Sequence, residues 1–297
     1  MRVAISGASG FIGTALATRL EADGHAVLRV GRGPAGPDRL TWDPAAGHLD
    51  GAALEGLDAV VNLAGAGVAA RRWTAARRHE LRASRIASTR LLSRALAALD
   101  RPPPVLLSAS AVGYYGDRGE EELTESSPPG TGFLADLCRD WEAETAAAAD
   151  AGIRVVCLRT GIVLARSGGA LAKQLPLFRL GLGGPLGSGR QVMSWISLAD
   201  EVGAILFAIG TDTLRGPANL VGPAPVTNAR FTAALGQVLR RPARLPVPAA
   251  ALRLAFGRAL ADEALLAGQR VVPAALLTHG YRFEHRTVDA ALRAALA

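Results

Sequence analysis

Residues 2–13 read RVAISGASGFIG, in which glycines recur at intervals of three from Gly7 to Gly13. The five residues before the glycines, Arg2 to Ser6, are rich in β-branched and small side chains, which predicts a buried strand. After the glycines, apolar residues recur every fourth position from Ile12 to Leu20, a spacing typical of a helix. The chain therefore opens with a strand, a glycine-rich turn and a helix in direct succession.

This strand–turn–helix unit predicts a binding site for a dinucleotide. The glycines let the backbone turn tightly and let a pyrophosphate approach, while the first helical turn offers free N–H groups and a positive dipole end. Glycine triplets also occur in ordinary tight turns, but the strand before this one and the helix after it favour the dinucleotide. We predict a Rossmann-type fold whose first turn contacts the cofactor through Gly7, Ser9, Gly10, Phe11, Ile12 and Gly13.

The end of the second predicted strand indicates which dinucleotide is bound. Sites for NAD usually carry an acidic residue there, which holds the ribose hydroxyls. Here residues 28–32 read LRVGR, and no acidic residue follows before Asp38. Arg32 stands where the 2′-phosphate of NADP(H) needs a cation, although a solvated loop arginine has the same appearance in sequence. The missing acid and the arginine together predict NADP(H) as the cofactor.

Strand-like and helix-like segments alternate along most of the chain. After the first unit, the pattern predicts strands at 26–30, 59–63, 105–108 and 154–158 and helices at 74–99 and 133–151. Such alternation predicts an α/β fold with a doubly wound parallel sheet.

The composition changes after residue 222. We assign residues 1–222 to the dinucleotide-binding domain and residues 223–297 to a smaller, mainly helical C-terminal lobe that binds substrate. The lobe is predicted to contain helices at 228–239 and 249–260. A glycine-dense insertion at 168–191 is expected beyond the carboxyl ends of the strands, where open α/β sheets bind their ligands.

The charge and hydropathy of the chain argue against other classes of protein. A net charge of +7 would suit a nucleic-acid-binding protein, but 32 of the 33 basic residues are arginine, and no run of them is interleaved with aromatic residues. No apolar run approaches the roughly 18 residues of a membrane span, and no room for a leader precedes the first strand. We therefore expect a cytoplasmic protein with no nucleic-acid partner and no membrane anchor.

Neither the cysteines nor the histidines show metal-ligand spacing. Cys138 and Cys157 are far apart in sequence, and the five histidines form no motif. We predict that both thiols are reduced and that the protein has no metal site.

Several stretches resemble a known family. The glycine turn, Asn62-Leu63-Ala64-Gly65, the stretch SASAVGY at 108–114 and the stretch WISLAD at 195–200 are similar to extended short-chain dehydrogenases/reductases of the nucleotide-sugar epimerase type. The stretches WDP at 42–44, FLA at 133–135, DWE at 140–142 and GSGRQ at 187–191 resemble an atypical branch of that family, usually called epimerase family proteins. The resemblance spans the chain and implies NADP(H) binding with no settled substrate. It also implies cofactor contacts at Leu63, Ala64, Gly65 and Ser108.

The chain departs from the family at its catalytic residues. Extended family members use a serine, a tyrosine and a lysine four residues after the tyrosine. Ser110 matches the serine, and Glu142 matches the glutamate that usually follows the lysine by four residues. This alignment places Cys138 at the lysine position and Leu134 at the tyrosine position. Lys173 is the sole lysine and has no tyrosine four residues before it, so no Tyr-x-x-x-Lys pair exists in the chain.

Other residues must then move a proton if the protein is an enzyme. We predict Ser110, Tyr114 and Arg85 as the catalytic set. Tyr114 lies four residues beyond Ser110 and is the best substitute acid. Arg85 stands where the family usually has a structural asparagine, and its charge could stabilise a developing anion. Cys138 is a weaker candidate, because a cysteine in a helix rich in alanine and leucine is more typical of a small buried hydrophobe.

Three functions fit these residues. The first is an NADP(H)-dependent oxidoreductase or epimerase acting on a small polar substrate, nucleotide sugars included. The second is a redox sensor or regulator that binds NADP(H) and turns nothing over, which the missing pair favours. The third uses the basic surface to bind a macromolecule, and the scattered arginines count against it. The oligomeric state stays open, with a homodimer as one candidate.

Overall fold

The computed structural model describes all 297 residues. The strands are β1 (Arg2–Ser6), β2 (Ala26–Gly31), β3 (Arg39–Asp43), β4 (His48–Leu49), β5 (Ala59–Asn62), β6 (Val105–Ala111), β7 (Glu122–Leu123), β8 (Arg154–Thr160), β9 (Ile162–Leu164), β10 (Val192–Met193), β11 (Trp195–Ser197), β12 (Gly216–Leu220), β13 (Val226–Thr227) and β14 (Arg270–Val271). The helices are α1 (Phe11–Ala22), α2 (Ala75–Ala97), α3 (Phe133–Ala143), α4 (Ala146–Asp150), α5 (Gly169–Arg179), α6 (Leu198–Gly210), α7 (Asn228–Leu239), α8 (Ala249–Phe256), α9 (Arg258–Leu260), α10 (Ala274–Thr278) and α11 (Val288–Leu296).

Eight strands form one sheet in the order β12-β8-β6-β5-β1-β2-β3-β4. All neighbours in it are parallel except the edge pair β3 and β4. Because helices cover both faces, central strands such as β5 are buried on both sides and consist of apolar runs. From β1 the chain moves to β2 and β3 on one side and then returns to β5 on the other. This reversal confirms the predicted doubly wound parallel sheet.

Several details of the secondary structure were not predicted correctly. The helix predicted at 249–260 is interrupted at Gly257, whose φ of +84° separates α8 from α9, and the edge strand β12 was not predicted. Strand β3 was missed, although the buried Leu40 and Trp42 alternate with more exposed neighbours as in a strand. The single helix predicted at 133–151 is two helices, since α3 ends at Ala143 and α4 begins at Ala146. At this break the hydroxyl of Thr145 donates to the carbonyl of Glu142, a local bond that competes with regular helix geometry.

The two faces of the sheet have separate apolar cores. Helices α1 and α6 cover one face over a cluster of 25 buried residues, and α2 and α4 cover the other face over a cluster of 12. A third cluster joins α5, α7 and α11. Leu276 and Phe283, from the predicted C-terminal lobe, pack into the first cluster. The domain boundary at residue 222 stays a prediction.

Membrane-spanning helices, disulfides and clusters of metal ligands are each absent from the fold. No helix combines the length and the apolar character needed to cross a bilayer. Cys138 and Cys157 are both buried and unpaired. No group of three or more histidine, cysteine, aspartate or glutamate side chains is arranged to hold a metal ion.

A buried carboxyl group on α6 makes stability depend on pH. Glu201 is fully buried; Oε1 accepts from the Thr160 hydroxyl at 2.9 Å, and Oε2 has no partner. Burial raises the pKa of Glu201 to about 8, so the folded protein holds a proton there that the unfolded chain releases near its ordinary pKa of 4.5. The contribution of Glu201 to stability is therefore fully present below its unfolded-state pKa of 4.5 and is lost as the pH rises toward 8.

We expect Glu201→Gln to remove this dependence. Each unit of pKa shift corresponds to about 1.4 kcal/mol, so the variant should gain stability over the wild type as pH rises from about 5 to 8. Urea unfolding at several pH values measures the difference. A difference that is constant across this range would contradict an elevated pKa at Glu201.

Candidate functional site

The glycine turn after β1 lies against the turn after β5. Gly7 has φ +72°, and a Cβ there would lie 2.7 Å from the carbonyl oxygen of Leu63. A Cβ at Gly13 would lie 2.2 Å from the carbonyl oxygen of Gly7. Both positions therefore need glycine for the fold itself: Gly7 for the backbone turn, and Gly13 for the close packing of helix α1 on that turn.

Gly10 differs from its two neighbours in the motif. Its φ is −79°, and a Cβ there would meet only the carbonyl oxygen of Gly7, at 3.1 Å. Gly10 and Ser9 are exposed, no side chain caps the amino end of α1, and the first turn of α1 carries no acidic residue. The free N–H groups and the open backbone at Gly10 fit a pyrophosphate.

The two apolar residues of the turn point away from this open backbone. The ring of Phe11 packs on the start of α5, where a Cβ at Gly168 would lie 2.4 Å from Phe11 Cδ2. Ile12 packs against the apolar core beneath the sheet. Both residues are half-buried, and the predicted cofactor contacts at Phe11 and Ile12 stay predictions.

A cavity of about 330 Å³ lies beside this turn at the carboxyl end of β2. Three arginines line it, Arg29, Arg32 and Arg39. Arg29 is ion-paired with Glu21 and with Asp38. Arg32 and Arg39 are exposed and form no ion pair, so two cations are free to hold a phosphate there. The sequence prediction missed Arg39, which parallel pairing of β3 with β2 brings opposite Arg29.

Polar side chains also meet at the carboxyl ends of β6 and β8. Ser110 and Arg159 are register partners in these strands, and both are buried. The Ser110 hydroxyl donates to Glu142 Oε1 on α3 at 2.6 Å, and Arg159 donates to both oxygens of Glu142 at 2.8 Å. The sequence prediction missed Arg159, although a charge inside a buried strand is itself a signal, because buried charges are almost always paired.

Two adjacent tyrosines contact Arg159 in different ways. Its guanidinium stacks on the ring of Tyr114, with Cζ 3.5 Å from the ring centroid. The Tyr115 hydroxyl is buried, accepts from Arg159 at 3.0 Å and donates to Asn219 at 2.7 Å, and burial raises the pKa of Tyr115. The Tyr115 hydroxyl is thus bound on both sides by protein groups. Tyr114 is half-buried, and its hydroxyl bonds to no protein atom, so its predicted catalytic role stays open to test.

The positions aligned with the family tyrosine and lysine are packed into the protein. Leu134 packs on Gly113, where a Cβ would lie 3.2 Å from Leu134 Cβ. The backbone N–H of Leu134 donates to Glu263 at 3.0 Å, a helix-capping contact across 129 residues that no sequence signal indicates. Burial, and next the charge of Glu142, raise the pKa of Cys138 to about 12. Such a thiol cannot exchange protons near neutral pH, which supports its interpretation as a small buried hydrophobe.

Arg85 lies on α2 between the turn after β5 and helix α3. It is 8% exposed, its Nη1 donates to the carbonyl of Leu81 at 3.1 Å, and its Cζ lies 5.0 Å from the ring centroid of Trp141. A Cβ at Gly65 would lie 3.2 Å from Cζ. Burial lowers the pKa of Arg85 to about 10, so the group stays charged at neutral pH. It makes no hydrogen bond or ion pair with Ser110, Tyr114 or Arg159.

The remaining predicted contacts lie at the ends of β5 and β6. Asn62, which ends β5, is held by the hydroxyl of Ser6 at 2.6 Å and donates to Thr89 at 2.8 Å, which positions Leu63, Ala64 and Gly65 beside the glycine turn. Ser108 is 1% exposed, and its hydroxyl is enclosed without a partner. The side chain of Ser108 therefore faces no open space, and its predicted cofactor contact stays a prediction.

Comparisons with known proteins agree with this geometry. The family model described as NAD dependent epimerase/dehydratase family matches residues 3–221, and one described as a domain of unknown function matches residues 247–295. An epimerase family protein of Mycobacterium bovis is 53% identical over 98% of this chain and 96% of its own.

Two solved structures are similar over the whole chain. The crystal structure of human epimerase family protein SDR39U1 with NADPH has a TM-score of 0.91 and 39% identity, covering 99% of each chain. The nucleoside-diphosphate sugar epimerase of Corynebacterium glutamicum has a TM-score of 0.80 and 36% identity, covering all of this chain and 58% of its own.

Proposed function

Because this chain belongs to the NAD dependent epimerase/dehydratase family, we propose that it is an NADP(H)-dependent oxidoreductase or epimerase acting on a small polar substrate. The observation that carries the proposal is the site formed by the uncapped amino end of α1, the open backbone at Gly10 and the two unpaired arginines beside β2. The human relative that is 39% identical was crystallised with NADPH, which supports the choice of cofactor.

The chain supplies separate groups for the two phosphate regions of such a cofactor. The N–H groups at the start of α1 would hold the pyrophosphate, with Gly10 leaving room for it. Arg32 and Arg39 would hold the 2′-phosphate at the end of β2. When bound, NADP(H) supplies or accepts a hydride, and the protein must then move the matching proton.

The cluster around Ser110 is arranged to move a proton. Ser110 donates its own proton to Glu142, so its oxygen is left to accept a hydrogen bond from a substrate hydroxyl. When that substrate is oxidised, its proton would pass to Ser110 as the Ser110 proton passes to Glu142, and reduction would reverse both transfers. Arg159 orients the carboxylate with two hydrogen bonds. The half-buried Tyr114 lies beside this relay as the alternative donor.

The substrate class proposed here includes nucleotide sugars. The relative from Corynebacterium glutamicum is named a nucleoside-diphosphate sugar epimerase, which supports this choice. NADPH consumption and NADP⁺ reduction, measured against a panel of carbonyl compounds, alcohols and nucleotide sugars, test the proposal. Absence of NADP(H) binding would overturn it.

A second function, an NADP(H)-binding sensor without turnover, is favoured by one observation. Leu134 and Cys138 occupy the positions aligned with the family's tyrosine and lysine. Both side chains pack against the protein, and neither offers a free polar group. NADPH binding without turnover of any compound in the panel would favour this function over the enzyme.

The two free arginines predict a preference between cofactors. We expect NADPH to bind at least tenfold more tightly than NADH, about 1.4 kcal/mol, because only NADPH carries the 2′-phosphate. Arg32→Ala and Arg39→Ala should each reduce this preference. Arg19→Ala, which removes an exposed arginine paired with Asp23, is the matched control and should leave it unchanged. Calorimetric titration measures all of these affinities, and equal affinities of the wild type for NADPH and NADH would contradict the prediction.

A further inference from the structure

Arg85 is a buried cation without a counterion. Its side chain lies between α2 and α3, more than nine-tenths buried, and no carboxylate lies within ion-pair distance. Glu142, an acidic residue on α3, is already bound by Arg159 and Ser110. Its one hydrogen bond to protein uses Nη1, which leaves the donors on Nε and Nη2 without partners. Neither of these two nitrogens is fully enclosed, so both keep some accessible surface.

Such an arrangement destabilises a protein unless a ligand completes it. Burying an unpaired charge is unfavourable, and stacking against Trp141 offsets only part of the loss. Apolar side chains of similar size would fill the same space more favourably. A guanidinium held here with free donors is therefore ready to bind oxygen atoms of a ligand.

The topology of the sheet shows which part of a dinucleotide passes this point. A dinucleotide lies across the carboxyl ends of the strands at the reversal of strand order, which here falls between β1 and β5. The cavity with Arg32 and Arg39 lies at β2, on the adenosine side of that reversal. Arg85 packs on Gly65, in the turn after β5, and on Trp141 of α3, the helix whose Glu142 accepts from Ser110 near the end of β6. Arg85 is thus on the opposite side, where the nicotinamide half of the cofactor would lie.

We propose that Arg85 binds the hydroxyl groups of the nicotinamide ribose through its unpartnered Nε and Nη2. This inference rests on the proposed function, since it needs an NADP(H) cofactor in the site. Arg85 is then a cofactor-binding residue that fixes the nicotinamide end near Ser110. Different residues hold the two ends of the cofactor. Arg32 and Arg39 hold the adenosine end, and Arg85 holds the end that reacts.

Three ligands of increasing length test the proposal on the purified full chain. 2′-phospho-ADP carries the adenosine end and both phosphates of the pyrophosphate, 2′-phospho-ADP-ribose adds the second ribose, and NADPH adds the nicotinamide. We expect Arg85→Gln to weaken 2′-phospho-ADP-ribose and NADPH by tenfold or more and to leave 2′-phospho-ADP within twofold of the wild type. Arg82→Gln is the matched control, because Arg82 is an exposed arginine on the same helix, paired with Asp140, and should leave all three affinities unchanged.

Thermal unfolding separates ligand binding from a structural role. Removing an unpaired buried charge should not lower the Tm of the ligand-free protein, whereas the rise in Tm caused by NADPH should shrink. The proposal is overturned if all three affinities are unchanged in Arg85→Gln, if all three fall together, or if NADPH alone is weakened. Should Arg85→Gln fail to fold, Arg85→Met repeats the test, and failure of both to fold would make Arg85 structural and overturn the proposal. If the wild type binds none of the ligands, the proposed function itself fails.

Discussion

Gly10→Val is expected to weaken NADPH binding by 100-fold or more, about 2.7 kcal/mol, while the protein still folds. The side chain would occupy the open space in front of the α1 amino end that the pyrophosphate needs. The fold should survive it at a small cost in stability, because φ at Gly10 is −79° and a Cβ there makes one tight contact, 3.1 Å from the carbonyl oxygen of Gly7. Titration with NADPH gives the affinity, and circular dichroism with thermal unfolding reports on the fold.

Gly13→Val is the matched control for this prediction. A Cβ at Gly13 would lie 2.2 Å from the carbonyl oxygen of Gly7, a backbone atom that cannot move without opening the turn. This variant should be strongly destabilised, whereas the main effect of Gly10→Val should be the loss of NADPH binding. If Gly10→Val binds NADPH as the wild type does, the cofactor does not use this turn.

The second large effect is expected at Tyr114. Tyr114→Phe should lower turnover by roughly 100-fold, the usual contribution of a positioned acid, and should change NADPH affinity by less than twofold. The phenol hydroxyl forms no hydrogen bond to the protein, and its ring is held against the Arg159 guanidinium, whose Cζ lies 3.5 Å from the ring centroid. Steady-state kinetics with any substrate found in the panel, together with NADPH titration, measure both quantities.

Tyr281→Phe is the control for the loss of a tyrosine hydroxyl. Tyr281 donates to the carbonyl of Asp200 at 3.1 Å, on the side of the fold formed by α6, and touches neither Ser110 nor Arg159. Its removal should leave turnover unchanged. Turnover that survives in Tyr114→Phe would rule out Tyr114 as the donor and leave the Ser110–Glu142 relay as the proton path. Glu142→Gln, which cannot take the proton from Ser110, would then be the next variant.

The proposed proton path explains why the missing tyrosine–lysine pair does not by itself decide between enzyme and sensor. The structure offers two other groups at the end of β6, the Ser110 hydroxyl bound to Glu142 and the free hydroxyl of Tyr114. Cys138, by contrast, is too deeply buried to exchange a proton near neutral pH, since its pKa is raised to about 12. Under the proposed function, turnover would therefore depend on these two groups.

The sequence alone determined the features that rest on local pattern. The strand, the three glycines and the helix of residues 2–22 are adjacent in the chain, so their spacing predicts both the turn and the dinucleotide site. Alternation of strands and helices predicted the parallel sheet, and the resemblance at the quoted motifs predicted the family. The short strand β3 escaped prediction because only two of its five residues, Leu40 and Trp42, are buried, so it lacks the apolar run of the central strands.

Only the tertiary structure decided which side chains meet. Arg39 lines the cavity at the carboxyl end of β2 because of the register of β3 on β2. Glu142 bonds to Ser110, 32 residues away in sequence, and to Arg159, 17 residues away. The charge of Arg85 is visible in the sequence, but the lack of a counterion depends on every element packed around it. Local sequence sets the period of each helix and strand, whereas such contacts depend on how distant elements pack, and packing is settled by burial over the whole chain.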